Sequence, residues 1–172
     1  MRYHDCPTVN TDAIEQDPQG EWIAGEFEQR PEIPPPFLDR WILFRSGQFT
    51  YNRAVVEHAQ IGNEVHYLEV IWLVTQVYQF AARMARDGAL SPEALIRLQL
   101  HNVAGRGLYT ADFFGEFWSR EKRVDAARTV HTGELLGQEG RDLAMQAALE
   151  IYAKFGWADA PEEKILEQQS TL

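Results

Sequence analysis

From Val70 to Ala82 the chain reads VIWLVTQVYQFAA, thirteen residues without a charge. Val70, Ile71, Leu73, Val74, Val77, Tyr78, Phe80 and Ala81 would cover most of a helical circumference with apolar groups. A helix that is apolar nearly all round belongs inside a protein, with other elements packed on several sides. The helical pattern extends from Glu64 to Arg86, which predicts one buried central helix over that span. Gly62 and Asn63 would open it and Gly88 would end it. Glu64 and Glu69 near the start, with Arg83 and Arg86 near the end, complement the helix dipole. A second helix is predicted over Gln138 to Phe155, where Leu143, Ala144, Ala147, Ala148, Ile151, Tyr152 and Phe155 form one stripe. Gly156 stands where a left-handed cap belongs, so Trp157 is expected to fold back toward Tyr152 in a Schellman motif.

Elsewhere the period shortens. Gln48 to Val56 sets Phe49, Tyr51 and Val55 on one alternation and reads as a strand. Ile96, Leu98 and Leu100 alternate with Arg97, Gln99 and His101, the pattern of a half-buried strand. Ala127 to Glu134, around Val130, is a further strand candidate. Phe37, Leu38, Trp41, Ile42 and Arg45 follow helical spacing, so a short helix is expected there, stopped by Gly47. Ser91-Pro92-Glu93 reads as the start of a turn or short helix, and Gly105-Arg106-Gly107 as a turn or bulge. These elements predict an α+β fold. A small antiparallel sheet would use strands near 48–56, 95–103 and 127–134, covered on one face by the two main helices.

Residues 1 to 30 show no sustained period, and Trp22, Ile23 and Phe27 are their only strong apolar anchors. The prolines at 31, 34, 35 and 36 then stiffen the chain. The expected organisation is an extended acidic arm over 1–36, one domain over 37–157 and an acidic tail over 158–172. Trp22, Ile23 and Phe27 are candidate interaction residues, expected to dock in an apolar groove of this chain or of a neighbour.

Composition adds a charge asymmetry to this outline. The net charge is -10. Residues 1 to 36 carry eight acids and two arginines, residues 37 to 131 ten acids and eleven bases, and residues 132 to 172 eight acids and three bases. The acid therefore lies toward the two ends. Such a chain repels phosphate backbones, so no direct binding to duplex nucleic acid is expected. The acidic ends either serve solubility or dock onto a basic partner surface. Cys6 is the single cysteine and cannot form an internal disulfide, which fits a reducing cytoplasm. The first residues, MRYHDCPTVN, hold no apolar signal core. The Val70–Ala82 run is shorter than the roughly 20 apolar residues a bilayer demands, so no membrane association is expected.

Chemistry-bearing patterns are sparse. No two histidines stand four residues apart, and there is no cysteine pair. His101 and His131 fall on predicted strands and, as neighbours, could join Asp112 or Glu134 around a metal. Arg53 and His58 match a spacing used by small helical ribonucleases, and Glu162-Glu163-Lys164 an acid–lysine spacing of metal nucleases. Both lie in the wrong context, a strand and a charged tail. Ser46 lacks the flanking glycines of a nucleophile elbow. Gly105-Arg106-Gly107 lacks the following lysine of a phosphate loop. No catalytic, cofactor-binding or metal-binding residue is therefore expected. What stands out instead is a polar stripe, Glu69, Gln76, Gln79 and Arg83, along one side of the apolar helix with Trp72 beside it. It is either the helix's solvated or arm-covered side or a recognition surface for a ligand or partner helix. The alternative to an interaction module is a small-molecule sensor whose pocket is lined by Trp72, His101 and Arg106; a cryptic metal-dependent nuclease is a third reading.

RSGQF (45–49), YLEVIWLVTQVYQFAAR (67–83), LHNVAGRGL (100–108) and DLAMQAALEIYAKFGW (142–157) together resemble a region of bacterial proteins. There it follows a Schlafen-like domain of the AlbA type, a class assigned to DNA binding. The shared features are structural: a turn glycine, a core helix and a helix cap. The residues at hand contain no AlbA-type domain and no acidic motif of the Schlafen-like nucleases, so no functional residue carries over. The resemblance implies an accessory module acting beside a separate effector protein. The favoured reading is a non-enzymatic interaction or regulatory module, self-associating or bound to another protein.

Overall fold

A computed structural model describes residues 14–28, 38–52, 64–110 and 116–170. The chain divides into two compact units, residues 1–56 and 57–172.

In the first unit four strands form an antiparallel meander: β1 (Ile14–Gln16), β2 (Trp22–Glu28), β3 (Leu38–Phe44) and β4 (Phe49–Asn52). Asp17-Pro18-Gln19-Gly20 turns β1 into β2. The Asp17 carboxylate accepts from the amides of Gln19 and Glu21, at 3.1 and 3.2 Å. This is the local side-chain bond that makes aspartate a turn residue. Residues 14–28 of the expected arm are therefore a strand, a turn and a second strand. Trp22, Ile23 and Phe27 are β2 positions, in register with Phe44, Leu43 and Asp39. The division at residue 56 also replaces the expected boundary at 36, because β2 and β3 pair across it. The prolines at 31–36 lie outside the described residues.

The helix expected from Phe37 to Arg45 is instead β3. Its Trp-Ile-Leu-Phe run is rich in aromatic and branched side chains, which suit a strand with neighbours on both sides. Gly47 serves a tight hairpin rather than a helix end. Its amide donates to the Phe44 carbonyl at 2.9 Å, and the Phe44 amide donates to the Gln48 carbonyl at 2.8 Å. Its φ of +85° is the left-handed conformation that a three-residue hairpin loop requires.

The second unit is α+β. It runs β5 (Glu64–His66), α1 (Tyr67–Arg86), β6 (Glu93–His101), β7 (Gly107–Tyr109), β8 (Phe117–Trp118), β9 (Arg123–His131), a 3₁₀ turn (Thr132–Leu135), α2 (Gln138–Lys154) and α3 (Glu162–Ser170). β5 pairs with β7 in parallel and β8 with β7 antiparallel. β6 and β9 form a separate antiparallel ribbon of nine residue pairs. The single expected sheet is thus three sheets. β4 belongs with β3, and only the β6–β9 pair matches the expected partners. Glu93 begins β6 rather than a short helix.

The core of this unit is the one the periodicity points to. Val70, Ile71, Val74 and Tyr78 of α1 are buried, with Val74 fully so. Ile96, Leu98 and Leu100 of β6, Val124, Ala126 and Val130 of β9, and Ala144, Ala148, Ile151 and Tyr152 of α2 join them. α1 packs on α2, and α2 on β9. α1 starts three residues later than expected, because Glu64–His66 pair with β7 as a strand. His66 then caps the helix, its Nδ1 accepting from the Leu68 amide at 3.1 Å. α2 ends as expected. Gly156 has φ +92°, its amide donates to Ala153 O at 2.9 Å, and the Trp157 amide donates to Tyr152 O at 3.0 Å. The two bonds are those of a Schellman motif, and the Trp157 and Tyr152 rings stand 5.3 Å apart. Residues beyond 157 do not form a tail. α3 packs on α1 and α2 and fully buries Ile165. That burial is worth about 1.5–3 kcal/mol. The buried Gln169 donates to Thr75 Oγ1 and to the Arg141 carbonyl, each at 3.2 Å, and so satisfies a hydroxyl inside the core.

Candidate interaction surface

One side of α1 is committed to the core through Tyr67, Val70, Ile71, Val74, Thr75, Tyr78 and Ala81. The side opposite carries the predicted stripe. Gln76, Gln79 and Arg83 are exposed, and Glu69 and Trp72 are half-buried at its N-terminal end. Their spacing runs three, four, three, four residues, which keeps all five on one line along a helix. Leu73 and Phe80 flank that line. Leu73 is half-buried and Phe80 is 39% exposed. A rigid, twenty-residue helix anchored on its far side therefore presents amide groups, a guanidinium and an aromatic ring together. The helix satisfies its own backbone hydrogen bonds, so recognition here can use only side chains.

The remaining sequence candidates are distributed differently. His101 is exposed at the end of β6, and Arg106 is half-buried in the turn that follows. Trp72, the third residue of the expected pocket, comes from α1. His101 and His131 are not neighbours: His101 lies opposite Arg123 and His131 opposite Glu93, at the two ends of the ribbon. Eight residues of strand separate those ends by roughly 27 Å. Among the described residues no group of three or more histidine, cysteine, aspartate or glutamate side chains could hold a metal ion. Arg53, His58, Asp112 and Cys6 lie outside the described residues. Glu162-Glu163-Lys164 opens α3 and is exposed. Ser46 is an exposed hairpin residue.

The start of α1 and the end of α2 meet in an aromatic joint that the pattern did not reveal beyond Trp157. The His66 and Tyr109 rings are edge-on at 5.2 Å, and Phe117 stacks on Trp157 at 5.3 Å. Tyr67 meets Trp157 edge-on at 5.9 Å. The Tyr152 hydroxyl donates to the Tyr67 carbonyl at 2.8 Å. Burial pushes the Tyr152 phenol well above its ordinary range. Burial also raises that of Tyr78, against the lowering effect of the Arg128 charge. These rings fill space against one another, which is the work of a joint between elements.

Sequence reasoning also passed over the outer face of the ribbon. Leu95 there is 60% exposed, the most exposed large hydrophobic side chain among the described residues. An exposed leucine within an alternating strand has no signal of its own. Neither a protein-family model, nor a curated protein, nor a solved structure matches this chain. No described helix is long and apolar enough to cross a membrane.

Proposed function

We propose that the protein is a non-enzymatic interaction module that binds a separate protein through the outer stripe of α1. The observation that carries this reading is the exposure of Gln76, Gln79, Phe80 and Arg83 on a helix whose other side is fixed in the core. Aromatic and arginine side chains on a rigid element are what protein contacts use as anchors. The glutamines add hydrogen-bonding groups that fix the register of a partner. The resemblance to an accessory region of AlbA-type bacterial proteins supports the same reading. A partner suited to this stripe offers an apolar patch ringed by polar groups, with an acid facing Arg83. A cytoplasmic, bacterial setting belongs to the proposal.

The test is capture of partners by the full chain and by a Gln79→Ala/Arg83→Glu variant. Both positions are exposed, so the variant is expected to melt within a few degrees of the wild type. A specific partner held by the wild type and lost by the variant is the expected result. Equal recovery by both proteins, or no partner for the wild type, would overturn the reading.

A further inference from the structure

Among the described residues β6 offers something that α1 does not, namely unpaired backbone groups. The Thr132 amide donates to the Pro92 carbonyl at 2.9 Å, so Pro92 turns its peptide groups toward β9 and its extension. In an antiparallel pair, successive residues turn their peptide groups alternately toward and away from the partner. Glu93, Leu95, Arg97, Gln99 and His101 therefore turn theirs away from β9. Among the described residues β6 pairs with β9 alone, and no hydrogen bond reaches the outward groups of these five. The same five residues have exposed side chains, while Ile96, Leu98 and Leu100 face the core. An edge of this kind is a template for another strand.

The charge pattern of the edge says which strand fits. Glu93 and Arg97 stand two residues either side of the exposed Leu95. If a second β6 lies antiparallel with Leu95 opposite Leu95, each Glu93 faces the Arg97 of the other copy. On the other face of the sheet Ala94 then falls opposite Ile96, apolar against apolar. A two-fold axis at Arg97 would instead oppose two guanidinium groups, and one at Ile96 would set Leu95 against Arg97. Pro92 does not interrupt the ladder, because its missing N–H is on the β9 side. Among the described ion pairs none uses Arg97. Glu93 has only an exposed contact, 3.7 Å from His131 Nδ1, of the kind that contributes little.

We propose that two copies of this chain associate through β6, antiparallel and centred on Leu95, to make a continuous four-stranded β9–β6–β6–β9 sheet. The outward peptide groups of Glu93, Leu95 and Arg97 meet those of Arg97, Leu95 and Glu93 in the other copy. Cross-strand Glu–Arg pairs flank a Leu–Leu contact at the axis. This names a second copy as one partner of the interaction module, and it rests on that reading only in part, since it uses a different element. A short ladder of this size gives a concentration-dependent dimer rather than an obligate one.

The test follows the mass of the full chain by sedimentation across a concentration series. The wild type is expected to pass from monomer to dimer. Glu93→Arg and Arg97→Glu each oppose like charges across the axis, so each alone should stay monomeric over a range at least tenfold higher. Mixed one to one, they restore both ion pairs and should form a mixed dimer. Leu95→Pro removes the outward N–H and the leucine contact at the axis together and should be monomeric. If it fails to fold by circular dichroism, the two charge variants, altered at exposed positions, decide alone. A wild type that stays monomeric throughout, single variants that still dimerise, or a mixture that does not associate would each overturn the proposal. A Gln79→Ala/Arg83→Glu variant that dimerises like the wild type supports the β6 interface as separate from the α1 stripe, and one that stays monomeric overturns it.

Discussion

α1 and the β6–β9 ribbon each bury one face and expose the other, yet they expose different things. α1 closes its hydrogen bonds within itself, so its outer face is a row of side chains: Gln76, Gln79, Phe80 and Arg83. β6 closes half of its hydrogen bonds with β9 and, among the described residues, leaves the rest at an open edge. The buried faces are interchangeable in kind, branched and aromatic groups packed to exclude water. The outer faces are not. A helix face can be disabled only by changing side chains, whereas a strand edge can also be disabled through the backbone. Substitutions that separate inner from outer positions test this comparison.

The largest effect is expected at Val74, fully buried on the inner face of α1. Val74→Asp places a charge without a partner in an apolar interior and should abolish the folded state. A cooperative thermal transition at the wild-type temperature would break the comparison at its base. On the ribbon, Leu98 is inward and 7% exposed, and Leu95 outward. Leu98→Ala should cost about 2–5 kcal/mol. Leu95→Ala should stay within about 0.5 kcal/mol in dilute solution. Denaturant midpoints that rank the two the other way would mean that the faces are misassigned.

The joint between α1 and α2 gives an intermediate effect. Tyr152→Phe removes the second donor to the Tyr67 carbonyl, which keeps its helical bond within α1, and should cost about 0.5–1.5 kcal/mol. Because burial raises the Tyr152 phenol, the neutral form is the one the fold favours. Its contribution is present below about pH 10 and is lost as pH climbs above that value. The wild type should therefore lose stability in that alkaline range more steeply than Tyr152→Phe, as read by urea unfolding at stepped pH. Equal slopes would show that another group controls alkaline unfolding. Of similar size is Gly156→Val, on the order of 1–2 kcal/mol, because a branched residue resists the left-handed cap. An unchanged denaturant midpoint would mean that the cap relaxes without cost. No change at all is expected on adding duplex DNA at physiological salt, given the net charge of -10. Tight, salt-sensitive binding in a polarisation titration would contradict this.

Where a signal is local and long, the sequence alone was sufficient. The central helix, the alternation of β6 and the Schellman cap at Gly156 with its Trp157–Tyr152 contact follow from periods and caps spanning a few residues. The α+β class and the outer stripe of α1 follow from the same patterns. Short segments were a different matter. The spacing from Leu38 to Phe44 fits about two turns of helix or a strand equally well, and β2 and β4 on either side settle it. A left-handed glycine serves a helix end at 156 and a hairpin at 47, so the residue type alone does not distinguish them. Glu64–His66 became a strand because Gly107–Tyr109, more than forty residues later, pairs with them. Ile165 became core because α1 and α2 provide a groove for α3. The separation of His101 from His131 and the outward peptide groups of β6 depend on the register of β6 against β9. Register is a contact between distant segments, and no local pattern encodes which residue stands opposite which.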